Sequence, residues 1–293
     1  MALKLDLVEL ADLTRPVDLA QGVLKQLQAL PIPVPIEEIA SAAGIQDIQP
    51  LPVSSFEGAL IATEGNALIL VNQSSPERRK RFTIGHELGH YMCPWHLLKA
   101  RRFECSSQDM RAEIPKSDPR LRLEVEANLF AAEILLPERP FKRDLRSARD
   151  LSLEVILDLA DTYCASKVAT GRRAVTLHDE AAALIVARNG MFLSAYRGKA
   201  FPFIPLKANQ PLPRGSIAHR FDGTIGSVSQ VTPVDGSHWV EDGLRRGAKL
   251  FEQCISQAQG YQLVLLLQDE SECADDEEEY AEEKAAWNPR FRR

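Results

Sequence analysis

At 293 residues, with 45% hydrophobic and 26% charged side chains, the chain has a globular composition, which excludes wholesale disorder, collagen-like repeats and a membrane bundle. The net charge of −6 argues against nucleic acid as the main partner, but it is unevenly spread: residues 269–283 hold ten carboxylates and no Lys or Arg, and without those ten the balance becomes +4. The five cysteines (93, 105, 164, 254, 273) form no CxxC pair, which fits a reduced, cytoplasmic setting better than a disulfide framework. No run reaches the roughly 18–20 apolar residues of a membrane span. Lys4, Asp6 and Glu9 interrupt the N-terminus, so the apolar stretch of a secretory signal is missing.

Leu19, Ala20, Val23, Leu24, Leu27 and Leu30 recur at three- and four-residue spacing after Pro16, predicting an amphipathic helix over 17–30. LPIPVP at 30–35 is an extended stop, and IEEIASAAG at 36–44 is a short helix ended by Gly44. FEGALIA at 56–62 and ALILVN at 67–72 read as strands around TEGN. Ser75 as N-cap and Pro76 as first helical residue predict a helix running through RFTIGHELGHYMC to Pro94. Residues 99–118, polar and charged, read as a long loop. Asp118-Pro119 repeats the cap-and-proline signal and opens RLRLEVEANLFAAEILL, which stops at Pro137. Further helices are predicted at 138–147, 151–164 and 166–178. Beyond about 180 the pattern turns to strands. ALIVAR and MFLSAYR flank Asn189-Gly190, a two-residue hairpin signal, and TIGSVSQVTPV at 224–234 and the runs either side of Gly260 extend it. The expected architecture is α+β: a mainly helical domain with a small sheet over 1–178, a smaller β-rich domain over 179–268, and an acidic, disordered tail over 269–293.

The informative segment is His86-Glu87-Leu88-Gly89-His90, an HExxH motif. Histidines four apart on a helix share a face, so both imidazoles can reach one ion, while Glu87 lies beside the ion's open position and can take a proton from water. On a wheel of about 100° per residue, Arg122, Glu126 and Glu133 form a polar stripe expected to face solvent. Glu124 falls among Ala127, Ala131, Ala132 and Leu135, with Asn128 beside it. A carboxylate on the apolar side of a helix needs a cation or several donors, so Glu124 is expected as third ligand and Glu126 as a surface charge. The alternatives are Glu126 as the ligand, or Glu124 in an ion pair with a basic residue such as Arg81. His86, His90 and Glu124 with a water in the fourth position describe an open, catalytic Zn2+ site. Zinc would lower the water's pKa towards roughly 7 and polarise the scissile carbonyl. Glu87 would be general base and then pass the proton to the leaving amine, with Asn128 orienting a histidine. Cys93 and Cys105 are expected as buried thiols outside the ligand set, Tyr91 in the core, and His96 exposed in a loop.

HExxH followed by ExxxN resembles the gluzincin pattern. LPIPVPIEEIASAAGI, SPERRKRFTIGHELGH and EVEANLFAAEILLP, in that order over roughly residues 15–140, make the chain resemble the ImmA/IrrE-type zinc metallopeptidases. The resemblance implies a zincin-like fold in a bacterial or phage cytosolic protease that cleaves one regulatory protein, usually a helix-turn-helix repressor of the Xre type. No such DNA-binding module precedes the motif here, so a separate protein is expected as substrate. The resemblance leaves the region after 180 undetermined, although some members carry a sensor-like C-terminal domain. Residues 157–177 have helix-turn-helix spacing, with Ser166 capping a helix that bears Lys167, Arg172 and Arg173; a packed helical pair is favoured there over direct DNA binding. ALILVN is expected as an edge strand that pairs with an extended substrate. The leading expectation is a zinc endopeptidase of narrow specificity acting in the cytoplasm, with no membrane partner. The alternative is a regulatory binding protein that keeps the metal fold and binds a repressor or DNA without proteolysis.

Overall fold

The computed structural model describes residues 3–52, 56–63, 65–106, 109, 118–241 and 249–269. They are mixed α+β and fall into two compact units, residues 1–143 with 158–169, and residues 144–157 with 170 onward. The acidic tail predicted from 269 lies, past that residue, outside the described ones.

In the first unit Asp6 caps α1 (Leu7–Leu10), its carboxylate accepting from the Val8 and Glu9 N–H groups. Next comes α2 (Pro16–Lys25), which stops short of Leu30; Leu27 and Leu30 pack on the core from the chain beyond it. After α3 (Ile36–Ala43) come β1 (Asp47–Leu51), β2 (Gly58–Thr63) and β3 (Asn66–Asn72). Then follow α4 (Glu77–Met92), α5 (Pro94–Leu97), β4 (Arg102–Cys105) and α6 (Pro119–Leu135). The helices α7 (Glu138–Ser147), α8 (Leu153–Thr162) and α9 (Lys167–Leu177) complete the helical region, each with residues in both units. The predicted cap at Asp118 is present, its carboxylate accepting from Arg120 N–H at 2.8 Å. The one at Ser75 is not: α4 begins at Glu77 with Pro76 as its cap, and the Ser75 hydroxyl donates to Glu57 Oε2 at 2.7 Å instead.

The sheet runs β1-β3-β2-β4, with β3 parallel to β1 and β2 antiparallel to both its neighbours. ALILVN is therefore interior and not an edge, because β1 and β2 take its hydrogen bonds on both sides. The edge beside β2 is occupied by β4, which the predicted loop at 99–118 missed. In β4, Phe103 and Cys105 are buried while Arg102 and Glu104 are exposed, the two-residue alternation of a half-buried strand. Behind the sheet, α4 packs on α6. A Cβ at Gly89 would lie 3.2 Å from the backbone of Ala127, so glycine there lets the helices approach to backbone contact. Leu88, Phe130, Ile134, Leu60 and Ile69 are fully buried around that seam.

The second unit contains β5 (Ala182–Arg188), β6 (Met191–Arg197), α10 (Ile217–Arg220), β7 (Thr232–Val234), β8 (Lys249–Ser256) and β9 (Tyr261–Asp269). Its antiparallel sheet runs β6-β5-β9-β8-β7. Asn189 and Gly190 turn the predicted hairpin with φ of 50° and 73°, the positive pair that a two-residue turn matching strand twist requires. The strand expected over 224–234 shrinks to β7 plus a single bridge between Val228 and Ile255. Trp239 and Phe201 fill the core. Buried beside them, Glu252 accepts from the Ser216 hydroxyl at 2.8 Å, Ala218 N–H at 2.8 Å and Trp239 Nε1 at 2.9 Å. No described helix is long and apolar enough to cross a membrane.

Candidate metal centre

The 3.6-residue period of α4 puts His86 and His90 one turn apart, and α6, crossing at Gly89, lays Glu124 opposite them. His86 Nε2 and His90 Nε2 are 3.1 Å apart, and Glu124 Oε2 lies 3.2 Å from the first and 3.4 Å from the second. All three residues are at most 2% exposed. Tetrahedral zinc with nitrogen and oxygen ligands at 2.0–2.1 Å needs donors about 3.3 Å apart, so the spacing fits such an ion. Arg81, the alternative partner for Glu124, is engaged elsewhere: it donates to Val34 O at 2.5 Å and pairs with Glu37 at 3.6 Å.

Hydrogen bonds behind the imidazoles decide where their lone pairs point. Asn128 Nδ2 donates to Asp109 O at 3.0 Å, which turns Asn128 Oδ1 towards His86 Nδ1, 2.9 Å away. His86 must then donate from Nδ1 and present a bare Nε2 to the site. Glu126 Oε2 accepts from His96 Nε2 at 3.0 Å, leaving His96 Nδ1 to accept from His90 Nδ1, also 3.0 Å away. His90 likewise presents a bare Nε2. Two lone pairs and a carboxylate thus converge in a buried space, an arrangement that demands a cation.

Burial alone would depress His86, but the Glu124 carboxylate beside it holds its pKa above the ordinary range. Burial pushes His90 down to about 4. Burial also opposes the charge on Glu124, yet the two imidazoles beside it hold its carboxyl well below the usual carboxylate range.

Glu87 is fully buried, and neither of its oxygens has a hydrogen-bond partner among the described residues. Burial pushes its carboxyl up to about 7, offset only in part by the charge of His86. The room it occupies depends on Gly58 of β2: a Cβ there would overlap Thr83 Cγ2 and come within 2.8 Å of Glu87 Oε1.

Several expectations change around this cluster. His96 is not in an exposed loop; it sits on α5 with no exposed surface. Glu126 is no free surface charge, because it also accepts from Trp95 Nε1 at 2.6 Å and Arg122 Nε at 2.8 Å. Glu133, placed on the solvent stripe, is 3% exposed and accepts from Gln21 at 3.1 Å, because α6 packs on α2 as well as α4. Cys105 is a buried thiol as expected, but its Sγ reaches the ligand cluster, 3.7 Å from His90 Nε2 and 3.5 Å from Glu124 Oε2. The metal-ligating atoms of His86, His90, Cys105 and Glu124 all lie within 4.8 Å of one another. Tyr91 is partly buried against the core.

Residues 41–175, from α3 into α9, match the family model Peptidase_M78, the IrrE N-terminal-like domain. Over these residues the chain is similar to the IrrE N-terminal-like peptidase family. The match agrees with the resemblance carried by the HExxH and EVEAN segments, and it encloses all the residues of the cluster. Among solved structures, a Mycobacterium tuberculosis transcriptional regulator shares the fold with 13% identity and a TM-score of 0.51, over 89% of this chain and 73% of that one. A search of curated proteins finds no match.

Proposed function

We propose that the chain is a zinc-dependent endopeptidase of narrow specificity, acting in the cytoplasm on a separate regulatory protein, an Xre-type helix-turn-helix repressor. The observation that carries the chemistry is the pairing of three inward-facing ligand atoms with a buried glutamate that has no hydrogen-bond partner among the described residues. His86, His90 and Glu124 would hold the ion. Zinc, when bound, supplies a Lewis acid that acidifies water and polarises a carbonyl. Glu87 is the proton carrier: it accepts a proton from the attacking water and returns it to the leaving amine. Asn128 and the His96–Glu126 pair fix the two imidazoles. The repressor substrate is inferred from the family resemblance, and the fold likeness to a transcriptional regulator supports a regulatory setting. In this reading residues 1–178 carry the peptidase chemistry, and the β-rich residues 179–268 act as a sensor or partner-binding domain.

The test uses purified Xre-type repressors from the same genome. The zinc-loaded chain should cut one of them at a single position, a chelator should stop it, and Glu87→Gln should keep stoichiometric zinc while losing cleavage. Cleavage by Glu87→Gln at the wild-type rate would refute this mechanism. The second reading, a metal-holding protein that binds its partner without cutting it, is favoured by the Cys105 thiol beside the ligands. A stable complex with intact repressor, unaffected by Glu87→Gln, would establish it.

A further inference from the structure

Cys105 reaches the ligand cluster for structural reasons. It is the last residue of β4, and its register with Gly58 of β2 is fixed by the bond from Glu57 N–H to Cys105 O at 2.9 Å. Two residues earlier on the same face, Phe103 lies over the His90 ring, with centroids 4.1 Å apart and planes 20° from parallel. The strand therefore presents two side chains to the centre, one stacked on a ligand and one beside the ligand atoms. For a tetrahedral zinc with a sulfur ligand at about 2.3 Å, the sulfur should lie about 3.6 Å from each nitrogen or oxygen donor. The observed 3.7 Å to His90 and 3.5 Å to Glu124 fit that edge, and His86, within 4.8 Å, is the one donor the sulfur must still approach. The same strand occupies the side of β2 along which an extended peptide would add to the sheet.

We propose that the Cys105 thiolate is the fourth metal ligand and that the resting centre is closed, with β4 held in the place of a substrate strand. This rests on the metal-binding reading above and replaces its open position with a latent one. A closed set of four protein ligands is the arrangement of a structural site, and catalysis needs one position free. Opening requires β4 to withdraw. The Cys105 sulfur would then keep its electron pair and take up a proton from solvent, leaving a position that water could fill, with no oxidant or reductant consumed. The partner that draws β4 away would thereby become the substrate, which couples specificity to activation.

The test is cobalt substitution of the full chain. The wild type should take up one Co(II) and show a sulfur-to-cobalt charge-transfer band, indifferent to sodium azide. A chelator should abolish the band and expose one further thiol to a thiol reagent. Cys105→Ser should retain cobalt, lack the band and respond to azide, whereas Cys93→Ser, altering the other cysteine buried in this unit, should keep the band. Stoichiometric cobalt in the wild type without a sulfur band, or with an azide-sensitive spectrum, overturns the proposal and leaves the open three-ligand site standing. Failure of the wild type to bind cobalt or zinc at all removes the metal reading together with this one. Neither wild-type measurement depends on a variant folding.

Discussion

Each unit of the protein buries a glutamate with no exposed surface, Glu87 in the first and Glu252 in the second, and the two have opposite surroundings. Glu252 is met by a hydroxyl, a backbone N–H and an indole N–H, which together replace the water it lost. Glu87 is met by none among the described residues. A buried carboxylate costs free energy unless its oxygens are bonded, so the fold is stabilised by the partners of Glu252 and strained by Glu87. Burial alone therefore does not mark a functional group; burial without partners, in reach of ligands that need a cation, does.

Substitutions can break this contrast. The largest effect is expected at Glu87: Glu87→Gln should lower the repressor cleavage rate by roughly 10²–10⁴-fold while leaving the unfolding free energy within about 1 kcal/mol of wild type, or above it. A loss of stability as large as the loss of activity would show that Glu87 is structural. Glu252→Ala should do the reverse, destabilising by about 3–5 kcal/mol in denaturant titration because three buried donors lose their acceptor; a midpoint unchanged from wild type would remove the contrast. Asn128→Ala should weaken zinc about 10–100-fold in competition with a chromophoric chelator, since His86 loses the acceptor that sets its tautomer. Undiminished affinity would mean that Nδ1 finds another partner. At the surface of the second unit, Arg146 pairs with Asp179 at 2.9 Å, and both side chains are at least 60% exposed. Arg146→Ala should change stability by no more than about 0.5 kcal/mol, and a shift beyond 1 kcal/mol would give that pair a structural role.

What could be read from the sequence was what depends on neighbours in the chain. The Asn189-Gly190 turn, the Asp118-Pro119 helix start and the one-turn spacing of His86 and His90 are local, and the inward placement of Glu124 beside them followed from the apolar side of α6. What needed a distant partner was misread. Glu133 looked solvent-facing because a wheel shows one face of contact, whereas α6 is covered by both α2 and α4. His96 looked like a loop residue because a four-residue helix beginning at Pro94 carries no periodicity. The segment Arg102–Cys105 was lost in a charged stretch, although its polar-apolar alternation was there to be seen. Ser75 bonded Glu57 across the chain, a competitor that the cap rule does not include.

One hydrogen bond behind His90 has an optical consequence. Trp95 Nε1 and His96 Nε2 donate to the same oxygen of Glu126, and His96 in turn holds His90, so the indole is three side chains away from the ion's place. In the second unit Trp239 gives its own N–H to Glu252, with no such connection. Filling the site with metal should therefore move the emission of Trp95 and leave that of Trp239 still. The protein carries a fluorescent gauge of its own occupancy and, in the other unit, the reference against which to read it.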